Sequence, residues 1–193
     1  MPVTTLDPRT ALVLIDLQKG IVATSTAHPS GEIVERCATL AQAVRARQMP
    51  VVRVRVNFSP DGEDALRTRT DVQPPAGMRA PDFAEYDPRI PAGDTDLFIT
   101  KRQWGAFYGT ELDLQLRRRQ ISGIIIAGIS TSLGVESTAR HARELGYEIA
   151  FASDAMTDVN RAAHDNSIAN IFPRLGQVDT TAAIVAALSA TAG

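Results

Sequence analysis

The run Ile124-Ile125-Ile126-Ala127-Gly128 and the stretch that follows it, Ile129-Ser130-Thr131-Ser132-Leu133-Gly134-Val135-Glu136-Ser137-Thr138-Ala139-Arg140, leave few folds open. The unbroken β-branched start is the pattern of a strand buried on both faces, which calls for a parallel sheet with helices above and below. Past Gly128 the spacing turns helical, so a strand feeds directly into a helix. At such a junction the first helical amides have no intrahelical partner and lie at the positive end of the helix dipole. An oxygen bearing negative charge can be held there by backbone alone, which makes residues 128–134 the candidate active-site turn.

The same alternation runs through the rest of the chain. Residues 11–15 read as a central strand with Asp16 at its C-terminal tip. Residues 31–48 read as a crossover helix with Ile33, Val34, Cys37, Leu40, Ala41 and Val44 at helical spacing. Residues 51–56 are the next strand; Arg53 and Arg55 alternate with its valines, so one face is expected to be less deeply buried. Further strands are expected at 96–100, ending at Lys101, and at 123–127, 148–152 and 176–178. Helices are expected at 109–119, 132–145, 160–175 and 180–188. Between 57 and 94 the chain is polar, with Pro60, Pro74, Pro75, Pro81, Pro88 and Pro91. The apolar anchors Phe58, Leu66, Met78, Phe83 and Tyr86 make it a wall, lid or subunit contact rather than a linker. Together these elements predict a three-layer, Rossmann-like α/β fold with a central, mainly parallel six-stranded sheet covered by helices on both faces.

In such sheets ligands sit beyond the C-terminal ends of the strands, where the strand order reverses. Asp16, Lys101 and the 128–134 turn all follow expected strand ends and can therefore converge. No G-x-G-x-x-G follows the first strand and there is no Walker lysine motif, so nucleotide binding is not expected. At 193 residues the chain fits one domain, and its net charge of -2 offers no field that would gather nucleic acid or an anionic membrane. The first residues lack the pattern of a signal peptide and no apolar run approaches a membrane span, so a cytoplasmic protein is expected. Its single cysteine, Cys37, falls inside the first helix and reads as a buried structural thiol. His28, His141 and His164 form no i, i+4 or H-x-H pair; each is expected on the surface or a helix face, and neither a metal nor a cofactor is expected.

The pattern Gly128-x-x-Thr131-x-x-Gly134-Val135-Glu136-x-Thr138-Ala139-Arg140 resembles the nucleophile turn of the isochorismatase-like (cysteine hydrolase) superfamily. Ala11-Leu12-Val13-Leu14-Ile15-Asp16-Leu17-Gln18 is similar to that family's first-strand motif. Lys101-Arg102-Gln103-Trp104-Gly105-Ala106-Phe107-Tyr108-Gly109-Thr110-x-Leu112 is similar to its lysine motif, with Gly105 where many members carry serine. With Gly146-Tyr147 and Asp154-Ala155 the likeness extends from about residue 8 to 178.

The resemblance implies a single hydrolase domain over 1–193, with a site made of Asp16, Lys101 and, in most amidase members, a cysteine where this chain has Gly134. It also implies a non-proline cis peptide between Ile129 and Ser130, and an oxyanion hole formed by the amides of Ser130 and Gly134. Without a thiolate, covalent acyl-enzyme chemistry has no nucleophile. Ser130 and Ser132 flank the site, but neither occupies the motif position or a G-x-S-x-G elbow. Isochorismatases proper also lack the cysteine: an acid protonates the substrate's vinyl ether, and water completes cleavage to pyruvate and a dihydrodiol. Asp16 would be that acid, with Lys101 orienting it. A lysine cation lowers a carboxyl pKa and burial raises it, and residue types alone leave that balance open.

Gln18, Gln103, Trp104 and Phe107 follow the strand ends and are the candidate residues for binding a small-molecule substrate, while Arg55 and Arg102 are the arginines placed to meet a carboxylate. A hydrolase or amidase acting on another small substrate, and a catalytically silent small-molecule-binding protein, are the alternatives. A homo-oligomer, dimer or tetramer, is expected.

Overall fold

The computed structural model describes residues 3–72 and 80–190. Pro74, Pro75 and Met78 of the proline-rich stretch lie outside the described residues. In chain order the elements are β1 (Thr10–Ile15), α1 (Lys19–Val22), α2 (Ser30–Ala46), β2 (Val51–Val56), β3 (Leu97–Lys101), α3 (Leu112–Arg118) and β4 (Gly123–Ile129). A π-helical turn (Thr131–Val135) then leads into α4 (Glu136–Glu144) and β5 (Glu148–Thr157). Next come α5 (Arg161–Asn166), a second π-helical segment (Ser167–Ile171), α6 (Phe172–Leu175), β6 (Gln177–Asp179) and α7 (Thr181–Ala190).

All six strands are parallel, in the order β3-β2-β1-β4-β5-β6. The chain starts in the middle of the sheet, winds outward to β3, then crosses back to the other side of β1. The order therefore reverses between β1 and β4, and the crevice such a reversal leaves opens at the C-terminal ends of those two strands. Both are buried at every position, as their continuous apolar runs require.

Strand alternation divides the core into two layers. Leu12 and Leu14 of β1 join Ile125 and Ala127 of β4 beneath α2 and α7, where the Ile33, Val34, Cys37, Leu40, Ala41 and Val44 stripe packs. Ala11, Val13 and Ile15 join Ile124 and Ile126 on the opposite face, against Leu112 and Leu116 of α3 and Ala139 and Ala142 of α4. No helix among the described residues is long and apolar enough to cross a membrane.

The larger departures from the sequence expectation are in β5 and in two of the helices. β5 runs to Thr157 rather than stopping at 152. The register against β4 moves from Ile126↔Phe151 to Gly128↔Met156, so the polar Ser153-Asp154 pair is a bulge within the strand rather than its end. Ser153 Oγ donates to Asp179 O, and Asp154 Oδ1 accepts from the amide and hydroxyl of Thr181 at the start of α7. The expected helix at 160–175 is divided by the π-helical segment, and the helix at 109–119 starts only at Leu112, after Gly109 at φ 67°.

The short helix α1, which begins three residues after Asp16, was not expected; its N-terminal flank is laced to the polar stretch. Lys19 N donates to Glu85 O, Gly20 N to Phe83 O and Asp87 N to Leu17 O. Residues 82–87 are thus built into the wall beside Asp16. Arg53, expected on a less buried face, is only 6% exposed. Its guanidinium lies 4.4 Å from the Tyr86 ring centroid and donates to Ile90 O at 2.7 Å, so the same stretch covers that face.

Candidate functional site

Asp16 is the first residue beyond β1. It adopts φ 51°, a left-handed conformation that aspartate tolerates better than branched residues do, and its amide donates to Val54 O at 3.0 Å. Lys101, the last residue of β3, reaches across the sheet end to place Nζ 2.7 Å from Asp16 Oδ2. The same Nζ donates to Trp104 O at 2.6 Å, which fixes the ammonium from its far side. Both side chains are buried, at 9% and 1% exposure. Asp16 Oδ1 is buried as well, and among the described residues it has no hydrogen-bond partner. Burial pushes the Asp16 carboxyl up to about 6, against the Lys101 cation, which pulls it down.

The turn after β4 faces this pair. The peptide bond between Ile129 and Ser130 is cis, and Ser130 O accepts from the amides of Leu133 and Val135 as the π-helical turn begins. Gly134 is buried. A Cβ there would lie 3.2 Å from Asp16 Oδ2, 3.3 Å from Lys101 Nζ and 2.9 Å from Ile15 Cγ2. Position 134 is thus directed at the ion pair, and glycine keeps that space clear of side-chain atoms. Thr138, one turn along, donates its hydroxyl to Gly134 O at 2.7 Å and accepts from Ala106 N at 3.0 Å. It thereby ties the turn to the loop after Lys101.

The other sequence candidates divide by their partners. Gln18 is fully buried and its amide is engaged three ways, donating to Val56 O and Phe83 O and accepting from Val56 N. Gln103 donates to Gly105 O and Tyr108 O and shapes the lysine loop. Phe107 is 5% exposed and packs against Tyr147 in the core, whereas Trp104, whose carbonyl holds Lys101, is 62% exposed. Arg55 donates to Thr100 Oγ1 and Ala84 O, and Arg102 pairs with Asp64. Ser132 Oγ donates to Asp158 Oδ2 at 2.8 Å.

Two features escaped the sequence reading. His164, expected on the surface or a helix face, lies on α5 but is buried, and its ring meets that of His28 edge-on with centroids 4.8 Å apart. Asp158, 1% exposed, accepts from the turn at Ser132 N. The two histidines are 136 positions apart by their numbers, so no spacing rule finds them; strand-end topology alone brings them together.

Cys37 is fully buried in α2, its thiol donating to Ala155 O, and burial raises its pKa far above the ordinary thiol range. Iodoacetamide is therefore expected to leave turnover unchanged under native conditions; rapid inactivation that substrate prevents would contradict this placement. Among the described residues no group of three or more His, Cys, Asp or Glu side chains is arranged to hold a metal ion.

A family model described as the isochorismatase domain matches residues 10–183. The chain is 46% identical over 180 residues to the uncharacterized isochorismatase family protein YecD of Escherichia coli O157:H7, covering 93% of this chain and 96% of that protein. It is 28% identical over 207 residues to the ureidoacrylate amidohydrolase RutB of Methylorubrum extorquens strain AM1, covering 93% of this chain and 83% of that one. Among solved structures, an isochorismatase family protein from Burkholderia thailandensis superposes with a TM-score of 0.93 at 45% identity, over 97% of this chain and 99% of that one.

Proposed function

Because the chain belongs to the isochorismatase family and is a hydrolase, we propose that it cleaves a vinyl ether of the isochorismate type without a covalent intermediate, Asp16 serving as the general acid and Gly134 standing where amidase relatives carry cysteine. The observation that carries this reading is the direction of position 134. Its absent side chain would point at Asp16 Oδ2 and Lys101 Nζ, so the polar pair is present and the nucleophile is not.

The chemistry follows from the ion pair. Protonated Asp16 delivers its proton to the terminal methylene carbon of the vinyl ether, and the electron pair of the double bond forms the new C–H bond. The adjacent carbon becomes an oxocarbenium ion, water adds to it and returns a proton to the Asp16 carboxylate, and the neutral hemiketal collapses to pyruvate as its hydroxyl proton passes to the departing ring oxygen. A carboxyl held at about 6 is suited to this task, since a general acid works best with its pKa near the working pH. Oδ1, buried and without a partner among the described residues, is the oxygen left to carry the proton. Lys101, fixed by Trp104 O, holds the other oxygen. Amides of Ser130 and Gly134, at the start of the helix, would stabilise the negative charge that gathers on the ring oxygen as the hemiketal releases it.

Amide hydrolysis is the second reading, favoured by the 28% identity with an enzyme named as an amidohydrolase. It would require water in place of the thiol, with ionised Asp16 as base. Pyruvate release from isochorismate, measured beside ammonia release from a panel of small amides, separates the two. The expected result is pyruvate without ammonia; ammonia alone would replace the first reading by the second.

A further inference from the structure

The turn at 130–134 is held from behind by polar groups that the proposed chemistry does not use. Asp158, immediately beyond β5, takes the Ser132 amide and the Ser132 hydroxyl on the same Oδ2, each at 2.8 Å, while its Oδ1 takes the Asn160 amide at 3.1 Å. Thr131 Oγ1, fully buried, shares a 2.8 Å hydrogen bond with His164 Nδ1 from α5. His164 rests edge-on against His28, whose Nδ1 and backbone N each lie 3.1 Å from Thr157 Oγ1. Thr157 in turn stands opposite Ile129 in the sheet. The contacts Thr131–His164–His28–Thr157 therefore close around the residue that leads into the turn.

Buried polar groups are unfavourable unless partnered, and aliphatic packing could cover the back of a helix start equally well. A satisfied network instead selects one backbone geometry, because any shift leaves several of its members unpaired at once. Burial and the neighbouring His28 hold the His164 imidazole below its ordinary range, which favours the uncharged ring beside Thr131.

We propose that His164 and Asp158 are positioning residues: through Thr131 and Ser132 they fix the backbone of residues 130–134 against Asp16 and Lys101. The predicted effect on turnover rests on the Asp16 reading above; the effect on the turn does not. Thr131→Val preserves shape and removes only the hydroxyl, His164→Leu removes the ring, and His164→Asn keeps a hydrogen-bonding amide near the Nδ1 position.

In the full-length chain, Thr131→Val and His164→Leu are each expected to lower kcat for pyruvate release about 10- to 100-fold, the scale of a displacement near 1 Å. KM should change less than about threefold, and the double variant should be little worse than either single one. His164→Asn should recover most of the loss. Amide hydrogen exchange at residues 131–134 should quicken in Thr131→Val and His164→Leu but not in Asp16→Asn, which loses turnover alone. If the wild-type protein proves inert toward isochorismate, the Asp16 reading falls and the exchange comparison still decides this one. Folded Thr131→Val with wild-type exchange at 131–134 would overturn the proposal, and so would a folded His164→Asn that exchanges as fast as His164→Leu.

Discussion

Asp16→Asn is expected to lower kcat at least about 10²-fold while changing KM far less, because asparagine keeps the shape of the carboxyl but cannot deliver a proton. The loss should be specific to the chemical step, since substrate would still meet the same walls. Lys101→Met should also reduce kcat, and the double variant should be little worse than Asp16→Asn, because Lys101 acts only through the carboxyl it touches at 2.7 Å. A folded Asp16→Asn enzyme that turns over its substrate at the wild-type rate would place the acid elsewhere.

The pH profile gives the same claim a sign. An acid must be protonated to act, so with Asp16 held at about 6, kcat/KM is expected to fall about tenfold per unit as pH rises well above that value. The Lys101 cation opposes the effect of burial. Removing it in Lys101→Met should therefore move the descending limb to higher pH even as the plateau drops. A limb that stays in place would mean that another group carries the proton.

How far the sequence could be read depends on whether the signal is local. The triple isoleucine at 124–126 and the apolar run at 11–15 named their strands because burial on both faces leaves a mark in consecutive residues. The meeting of Asp16 and Lys101 followed from topology, since both end parallel strands whose C-terminal tips share one edge of the sheet. What stayed hidden was the fate of individual polar groups. Gln18 stands two residues from Asp16 and reads as a pocket residue, yet its amide holds Val56 and Phe83 backbone. His164 reads as a helix-face residue, yet the turn after β4 lies against it. Hydrogen-bond partners that distant in sequence have no period, so only the folded chain reveals them. The bulge at Ser153-Asp154 was obscured for a related reason: a polar pair looks like the end of a strand unless its partners, an acceptor on β6 and donors at the start of α7, are in view.

Gly128→Ala is expected to be severely destabilising. Gly128 pairs with Ile15 at the centre of the sheet and adopts φ 127°, a conformation L side chains rarely take. A Cβ there would lie 2.1 Å from Ile15 O and 2.7 Å from Ile15 N, and a backbone in a central strand has nowhere to withdraw. Alanine must either force β1 and β4 apart, exposing both layers of the core at once, or rotate the residue and dislodge the turn that begins at Ser130. Either route is expected to cost at least about 4 kcal/mol, a large share of a domain's total stability of about 5–15 kcal/mol. Gly146→Ala is the matched control. Its φ is also positive, at 83°, but nothing lies within 4 Å of the added carbon. The conformational cost alone should remain, about 1–2 kcal/mol, lowering Tm by roughly 2–8 °C in a chain of this size. If Gly128→Ala melts within a few degrees of Gly146→Ala, close approach of β1 and β4 is not what demands glycine there, and the geometry that carries Asp16 beside the turn has more slack than its contacts imply.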